Sequence, residues 1–402
     1  MKLKRKHDSV IVAGGGPVGS LTALILAQRG IPVTVLEREH GVQLDYRAST
    51  FHPPTLDLLE ESGAEAALLR MGLRCDVSQF RDRQKGKIAE FDLSRMKNDT
   101  RHPYRVQCEQ FKLVGWLYEE LQKTPGVELR FGHSLAGLKQ NDDGVLVEVD
   151  TGEGKKTLAC DILVAADGGR SQVRKSAGIP FEGFTYPEHF LVAGTRHDFK
   201  GDMGDICSVN YVADPDEWYL LLEIPDMWRF ITPVDPSVEP TDAANEERIQ
   251  ESLQNLLPRS KPYEVLVKSV YRVHQRVAAT YRNGRVFLAG DAAHLNNPIG
   301  GMGLNGGIHD ALSLTDHLAR VWHGKASENE LDGYEVQRRP EAINAIHALT
   351  ERNKKLMEER DPIVRERNLM RMSEIAADPE RSYEYMLESA MITSLRRSGQ
   401  LH

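Results

Sequence analysis

The residues Val10-Ile11-Val12-Ala13-Gly14-Gly15-Gly16-Pro17-Val18-Gly19, followed at once by Ser20-Leu21-Thr22-Ala23-Leu24-Ile25-Leu26, decide how this chain folds. The run 10–13 is apolar and short, the pattern of a strand buried on both faces. Leu21, Leu24, Ile25 and Leu26 then share a helix face, and Gly30 supplies the stop. A second apolar run at 32–36 ends at Glu37, so the unit reads as strand, helix and parallel strand. Gly14, Gly16 and Gly19 are spaced Gly-x-Gly-x-x-Gly across its first turn. In that pattern the first glycine permits a tight turn, the second lets backbone approach a pyrophosphate, and the third lets the helix pack close to the strand. The helix N-terminus adds unpaired N–H groups and the positive end of its dipole. Glu37 lies 37 − 19 = 18 residues past the last glycine, where a carboxylate suits the diol of an adenosine ribose. Pro17 and Val18 inside the turn and Arg38 beside Glu37 complete this group of candidate cofactor-binding residues. Both NAD and FAD fit the pattern.

The chain has 402 residues, enough for about two or three domains. Its 51 basic and 59 acidic residues give a net charge of −8, which offers no general footprint for nucleic acid or anionic lipid. No apolar run reaches membrane-spanning length, and no signal peptide is read at the start. Cys75, Cys108, Cys160 and Cys207 are scattered, which suggests neither a disulfide framework nor a zinc site and fits a cytoplasmic protein.

Periodicity predicts helices at 55–69 and 111–122, strands at 127–131, 145–149 and 158–166, and a hairpin turn at Asp142-Asp143-Gly144. Residues 76–100 read as polar and irregular with strand-like pieces. From about Gly183 to 272 the composition shifts toward Tyr, Trp, Val and Pro, the mark of an inserted sheet with one helix at 245–257. The first pattern then returns as a strand at 286–289, Gly290-Asp291, a glycine-rich loop and a helix near 308–321. Five glycines between 300 and 307 would let backbone lie flat against a planar ligand.

Further motifs follow the first turn. They are Arg47-Ala48-Ser49 ahead of Thr55-Leu56-Asp57, then Tyr104-Arg105-Val106-Gln107-Cys108-Glu109-Gln110, and then Asp167-Gly168-Gly169-Arg170-Ser171. Gly290-Asp291-Ala292-Ala293-His294 comes next, and Pro298 precedes Gly300-Gly301-Met302-Gly303-Leu304-Asn305. Over most of residues 8–340 these segments together resemble the single-component flavoprotein aromatic hydroxylases, the family of para-hydroxybenzoate hydroxylase, and within it the phenol and nitrophenol monooxygenase branch. The resemblance implies FAD as the cofactor, with Arg47 on its phosphates, Gln110 against the flavin and Asp167 in a motif serving both FAD and the nicotinamide donor. It further implies Asp291 on the ribityl chain, and Pro298, Gly303, Leu304 and Asn305 in the loop beside the isoalloxazine ring. NADH or NADPH would be a transient electron donor, since no second dinucleotide-binding turn is present.

The implied fold class is α/β, a Rossmann-like FAD-binding domain with an inserted mixed β-sheet substrate domain and a C-terminal helical segment. Residues 1–75, 101–183 and 273–341 make the first, 76–100 and 184–272 the second, and 342–402 the third. The implied reaction is hydroxylation of a phenolic or other electron-rich aromatic small molecule by molecular oxygen through a flavin C4a-hydroperoxide. Removing the phenol proton raises ring electron density, so a base would help, and His52, His274 and Tyr211 are the candidates. His294 belongs to a motif shared by relatives with different substrates and reads as structural. A homodimer is compatible with the helical tail. Three other readings share the fold: a flavin-dependent reductase of an unsaturated substrate, a halogenase whose Trp-x-Trp-x-Ile-Pro signature is not matched at 228–233, and a non-enzymatic lipid carrier.

Overall fold

Val10–Ala13 pairs in parallel with Val33–Glu37 on one side and Ile162–Ala165 on the other, at the centre of a six-stranded sheet. Val127–Phe131 and Val286–Leu288 extend the parallel arrangement outward. The computed structural model describes residues 3–44, 46 and 48–401, with Pro240 as backbone only. The two strands at the centre, VIVA and ILVA, are buried along their whole length, as covered parallel strands require. The helix Pro17–Gln28 opens with proline in its first turn and is buried over 19–27, because it lies between the sheet and the helices Gln110–Lys123 and Met302–Trp322.

An eight-stranded sheet makes the second layer. Its spatial order is His294–Leu295, Val267–Ala278, Phe181–Thr195, Met227–Val234, Tyr219–Ile224, Val209–Ala213, Val77–Asp82 and Gly86–Asp92. The stretch 76–100, read as irregular with strand-like pieces, contributes the last two strands, and Val77–Asp82 runs parallel to Val209–Ala213. Short-range periodicity could not show this, because the partner lies more than a hundred residues away. The helix expected at 55–69 is two, Pro53–Leu59 and Ala64–Met71, parted where Gly63 takes φ +78°. The helix expected near 308 begins at Met302.

The tail comprises a π-helical turn over Ala342–His347 and the helices Ala348–Glu358, Pro362–Ala377, Pro379–Ser389 and Ile392–Arg397. Asp361 and Asp378 cap two of these with their side chains, each followed by proline at the first helical position. Met357, Leu369, Met372, Met386 and Ile392 form one apolar cluster with Phe80, Phe91, Phe190 and Leu220 of the large sheet. The tail therefore covers that sheet. Its end is pinned by Gln400, whose amide donates to the His309 carbonyl and whose oxygen accepts from Arg338. Among the described residues no helix is long and apolar enough to cross a membrane.

His102 links the two short helices. Its Nδ1 lies 2.7 Å from Asp57 and its Nε2 2.9 Å from Glu65. The Asp57 bond above all, against the cost of burial, raises its pKa over the usual histidine value. A raised value means the stabilisation is complete below the unfolded pKa and is lost as pH rises through the folded one. His102→Gln should therefore lower stability by about 1.5–3 kcal/mol in mildly acidic buffer and by clearly less in alkaline buffer. Denaturant titrations at the two pH values check this, and a loss independent of pH would show that the imidazolium is not the stabilising form.

Candidate active site

The first turn uses its glycines for three different reasons. Gly14 takes φ +100°, and a Cβ there would lie 2.3 Å from the Ala166 carbonyl oxygen. A Cβ on Gly19 would lie 1.9 Å from the Gly14 oxygen, so only glycine lets the helix start this close to the strand. Gly16, by contrast, has φ −64° and open space within 4 Å. That opening lies at the N-terminus of the helix Pro17–Gln28, which leaves unpaired N–H groups for an anion. Glu37 fixes the turn from the neighbouring strand: one carboxylate oxygen accepts the Gly15 N–H at 2.6 Å and the other the Glu39 N–H at 2.8 Å.

The second segment meets the first at Val18. Cβ atoms on Gly290 and Gly307 would lie 2.9 and 2.7 Å from Val18 Cγ2. Val18, expected at the cofactor, thus packs the two segments together. Gly300 and Gly301, at φ +107° and +68°, make the turn that starts the helix Met302–Trp322. Gly303, Gly306 and Gly307 are inside that helix, where Gly306 and Gly307 serve close packing on Ile346 and Val18. The expected loop of five glycines is therefore corrected: only Gly300 and Gly301 lie in the turn, and the other three belong to the helix. Pro298 closes the turn by accepting the Gly301 N–H, and Gly303 and Leu304 present first-turn amides at a half-exposed helix start. The side chain of Asn305 is a staple: its fully buried amide donates to the carbonyls of Thr50 and Gly301 and accepts the His52 N–H.

Asp167 accepts the N–H groups of Gln172 and Val173 with one oxygen, while the other is buried without a partner. Burial pushes its carboxyl above the usual range. Asp291 is exposed in the turn Gly290–Ala292. Gln110 begins its helix and donates its N–H to the Ala48 carbonyl. Arg38 is on the surface, paired with Glu39. Arg47 lies outside the described residues. A turn that only glycine fits, an open approach at Gly16, two helix N-termini and an orphaned carboxylate oxygen at Asp167 together suit a dinucleotide with a pyrophosphate and a planar ring.

Next to Gly300 is a cavity that, together with the open solvent at its mouth, holds about 510 Å³ of empty space. The large sheet, the glycine turn and the tail all line it. Phe80, Phe91, Ile299, Met302, Leu356 and Met357 give apolar walls, and Arg105, Tyr211 and Tyr385 bring polar groups. Tyr385 stacks on Phe91 with ring centroids 4.5 Å apart.

Of the three candidate bases, only Tyr211 lines this cavity. His52 is fully buried behind the Gly300 turn and donates from Nε2 to the Gly300 carbonyl at 2.8 Å. Burial, and next the Arg105 charge, lower its pKa to about 3. It holds the turn and is a poor base at neutral pH. His274 is apart from the cavity, bonded to Thr185 at 2.8 Å, and burial and the charges of Arg276, Arg272 and Arg170 lower its pKa. His294 pairs with Asp310, which also holds the Gly290 N–H and Arg338. Sequence reasoning missed Arg105 and every contribution from the tail. Arg105 stood within a quoted motif, but its burial arises only when Val77–Asp82 and the tail close over it.

The FAD binding domain family matches residues 7–348 of the chain. Over 394 residues, 97% of each chain, it is 34% identical to the para-nitrophenol 4-monooxygenase of Pseudomonas sp. (strain WBC-3). It is 36% identical over 348 residues to the 6-hydroxy-3-succinoylpyridine 3-monooxygenase of Pseudomonas putida (strain DSM 28022 / S16), covering 86% of this chain and 87% of that one. The crystal structure of p-nitrophenol 4-monooxygenase from Pseudomonas putida DLL-E4 superposes with a TM-score of 0.91 at 34% identity, over 96% of this chain and 99% of that one. The chain belongs to this FAD-binding family of flavoprotein aromatic hydroxylases. It is accordingly a flavin-dependent aromatic monooxygenase, as its motifs suggested.

Proposed function

We propose that the chain consumes NADH or NADPH and molecular oxygen to hydroxylate a small single-ring phenol. The observation that supports this reading is the cavity beside the Gly300 turn, with walls from Phe80, Phe91, Leu356 and Met357 and with Arg105 and Tyr211 hydrogen-bonded to each other within it. The names of the two similar monooxygenases, acting on a nitrophenol and a hydroxypyridine, agree with a substrate of that kind.

Bound FAD supplies the redox chemistry, accepting hydride from the donor and delivering one oxygen atom from O2 to the ring. The residues of this chain do the rest. Gly16 and the N-terminus of Pro17–Gln28 bind the pyrophosphate, and Glu37 fixes that turn for the adenosine ribose. The first amides of Met302–Trp322 would favour the negative charge that a ring system held beside them gains on reduction. Phe80, Phe91, Leu356 and Met357 exclude water, and Arg105 and Tyr211 orient the phenolic oxygen. FAD-loaded protein should oxidise NADH or NADPH several-fold faster once 4-nitrophenol or another phenol is added, with a product carrying an atom of ¹⁸O from labelled O2. Stimulated oxidation yielding only hydrogen peroxide across a broad phenol panel would contradict the reading.

A further inference from the structure

The segment 332–358 runs as one helix, built from Asp332–Glu341, the π-helical turn Ala342–His347 and Ala348–Glu358. Pro340 sits just before the turn and has no N–H to give to the ladder. A π-helical turn is rare and is often found at functional sites. This one packs on the loop that joins His294–Leu295 to the helix Met302–Trp322. Ile346 is fully buried, with its Cδ1 2.6 Å from where a Cβ on Gly306 would lie, and it clusters with Leu349 and Met302. His347 Nε2 donates to the Leu295 carbonyl at 3.0 Å. Burial above all, and then the His294 charge, lower the His347 pKa to about 4 against the pull of that bond, so the imidazole is a neutral donor.

We propose that His347 is a positioning residue for the flavin, holding the loop 294–301 through the Leu295 carbonyl so that the first amides of Met302–Trp322 stay against the ring. The proposal rests on the reading that the ring lies beside Gly300–Leu304, and it goes further by assigning part of the flavin's tuning to the root of the tail. Leu295 is where the pairing of its short strand with Val267–Ala278 stops. Its side chain packs on the turn after Asp167, since a Cβ on Gly169 would lie 2.8 Å from Leu295 Cδ1. His347 therefore holds the backbone of a residue whose side chain is already seated. Gln275 ties the next part of the loop to the same helix. Its oxygen accepts the Asn297 N–H at 3.2 Å, and its amide donates to the His347 carbonyl and the Thr350 hydroxyl at 3.4 Å. Asn297 in turn accepts the Ile299 N–H at 3.1 Å. Helix N-terminal amides favour the negative charge that the ring gains on reduction, so a loosened loop disfavours the reduced form.

The test measures the two-electron midpoint potential of FAD bound to wild type and to His347→Phe, which keeps a ring and loses the donor, by equilibration with a reference dye. At a fixed potential the ratio of reduced to oxidised flavin should fall roughly tenfold in the variant, a drop of about 30 mV in the midpoint. His347→Gln, whose amide can reach the same carbonyl, should recover at least half of that drop. A wild-type potential in His347→Phe overturns the proposal, even where the apoprotein melts earlier, because a merely structural role moves the melt and leaves the flavin as it was. Equal drops in His347→Phe and His347→Gln overturn it as well, since the donor would then not matter. If His347→Phe does not fold, His347→Asn, whose shorter amide stops before the carbonyl, is measured in its place against the same outcomes. An unshifted potential with the ring beside Gly300–Leu304 in a crystal structure of the FAD-loaded protein defeats this inference alone, whereas a ring found elsewhere defeats the reading on which it rests.

Discussion

Asp310→Ala should cost about 3–5 kcal/mol of stability, the expected loss when one partner of a buried ion pair is removed. Asp310 is fully buried and accepts from Arg338 Nε at 2.8 Å, His294 Nε2 at 2.8 Å and the Gly290 N–H at 3.0 Å. Its removal leaves the Arg338 guanidinium, itself 1% exposed, without its counter-ion. It also frees the Gly290–Ala292 turn, so FAD retention should fall with stability. Burial pushes the Asp310 carboxyl up, but His294 and Arg338 outweigh it and hold it below the ordinary range. A lowered value means the contribution is present above the unfolded pKa, about 3.9, and is lost as pH falls through the folded value. The gap between wild type and variant should therefore close in strong acid. Denaturant unfolding of both proteins measures this, and a loss below about 1 kcal/mol at neutral pH would mean that the buried triad is not coupled as its distances imply.

A pair of substitutions in the first turn should separate folding from cofactor binding. Gly19→Ala puts a methyl 1.9 Å from the Gly14 oxygen, which is backbone and cannot yield without moving the helix. Overpacking of that kind costs about 1–3 kcal/mol or more, and the displaced helix end should lose FAD as well. Gly16→Ala meets nothing within 4 Å and keeps a φ of −64° that any residue adopts. Its stability without FAD should match wild type, while FAD affinity falls roughly tenfold or more, because the methyl occupies the approach of the pyrophosphate. Thermal melts of the apoproteins and fluorescence titrations with FAD test both. Unchanged FAD affinity in Gly16→Ala would move the pyrophosphate away from this turn.

The first strand, helix and strand were legible because Gly14 and Gly19 answer local backbone demands that no other residue meets, while Gly16 leaves the approach to the turn open. Asp142-Asp143-Gly144 was legible for the same reason, since Gly144 takes φ +149° between paired strands. The glycines at 303, 306 and 307 misled, because glycine serves close helix packing as well as loops, and only the positions of Val18 and Ile346 reveal which. His52 and His274 were reasonable candidates by residue type. Burial against a carbonyl removed the first and a place beyond the cavity the second, and both are non-local properties. The tail was read as helical and charged, but amphipathic spacing does not say which surface an apolar face covers. Its packing on Phe80 and Phe91 makes it a wall of the candidate substrate cavity.

Residues 14–19 and 290–305, brought together at Val18, are expected to hold one FAD between them. A crystal structure of the FAD-loaded protein tests it directly. The pyrophosphate should lie against Gly16 and the first turn of Pro17–Gln28, and the isoalloxazine ring beside Gly300–Leu304 with one edge open to the Arg105 cavity. An FAD bound elsewhere, or a ring system turned away from that cavity, would contradict it.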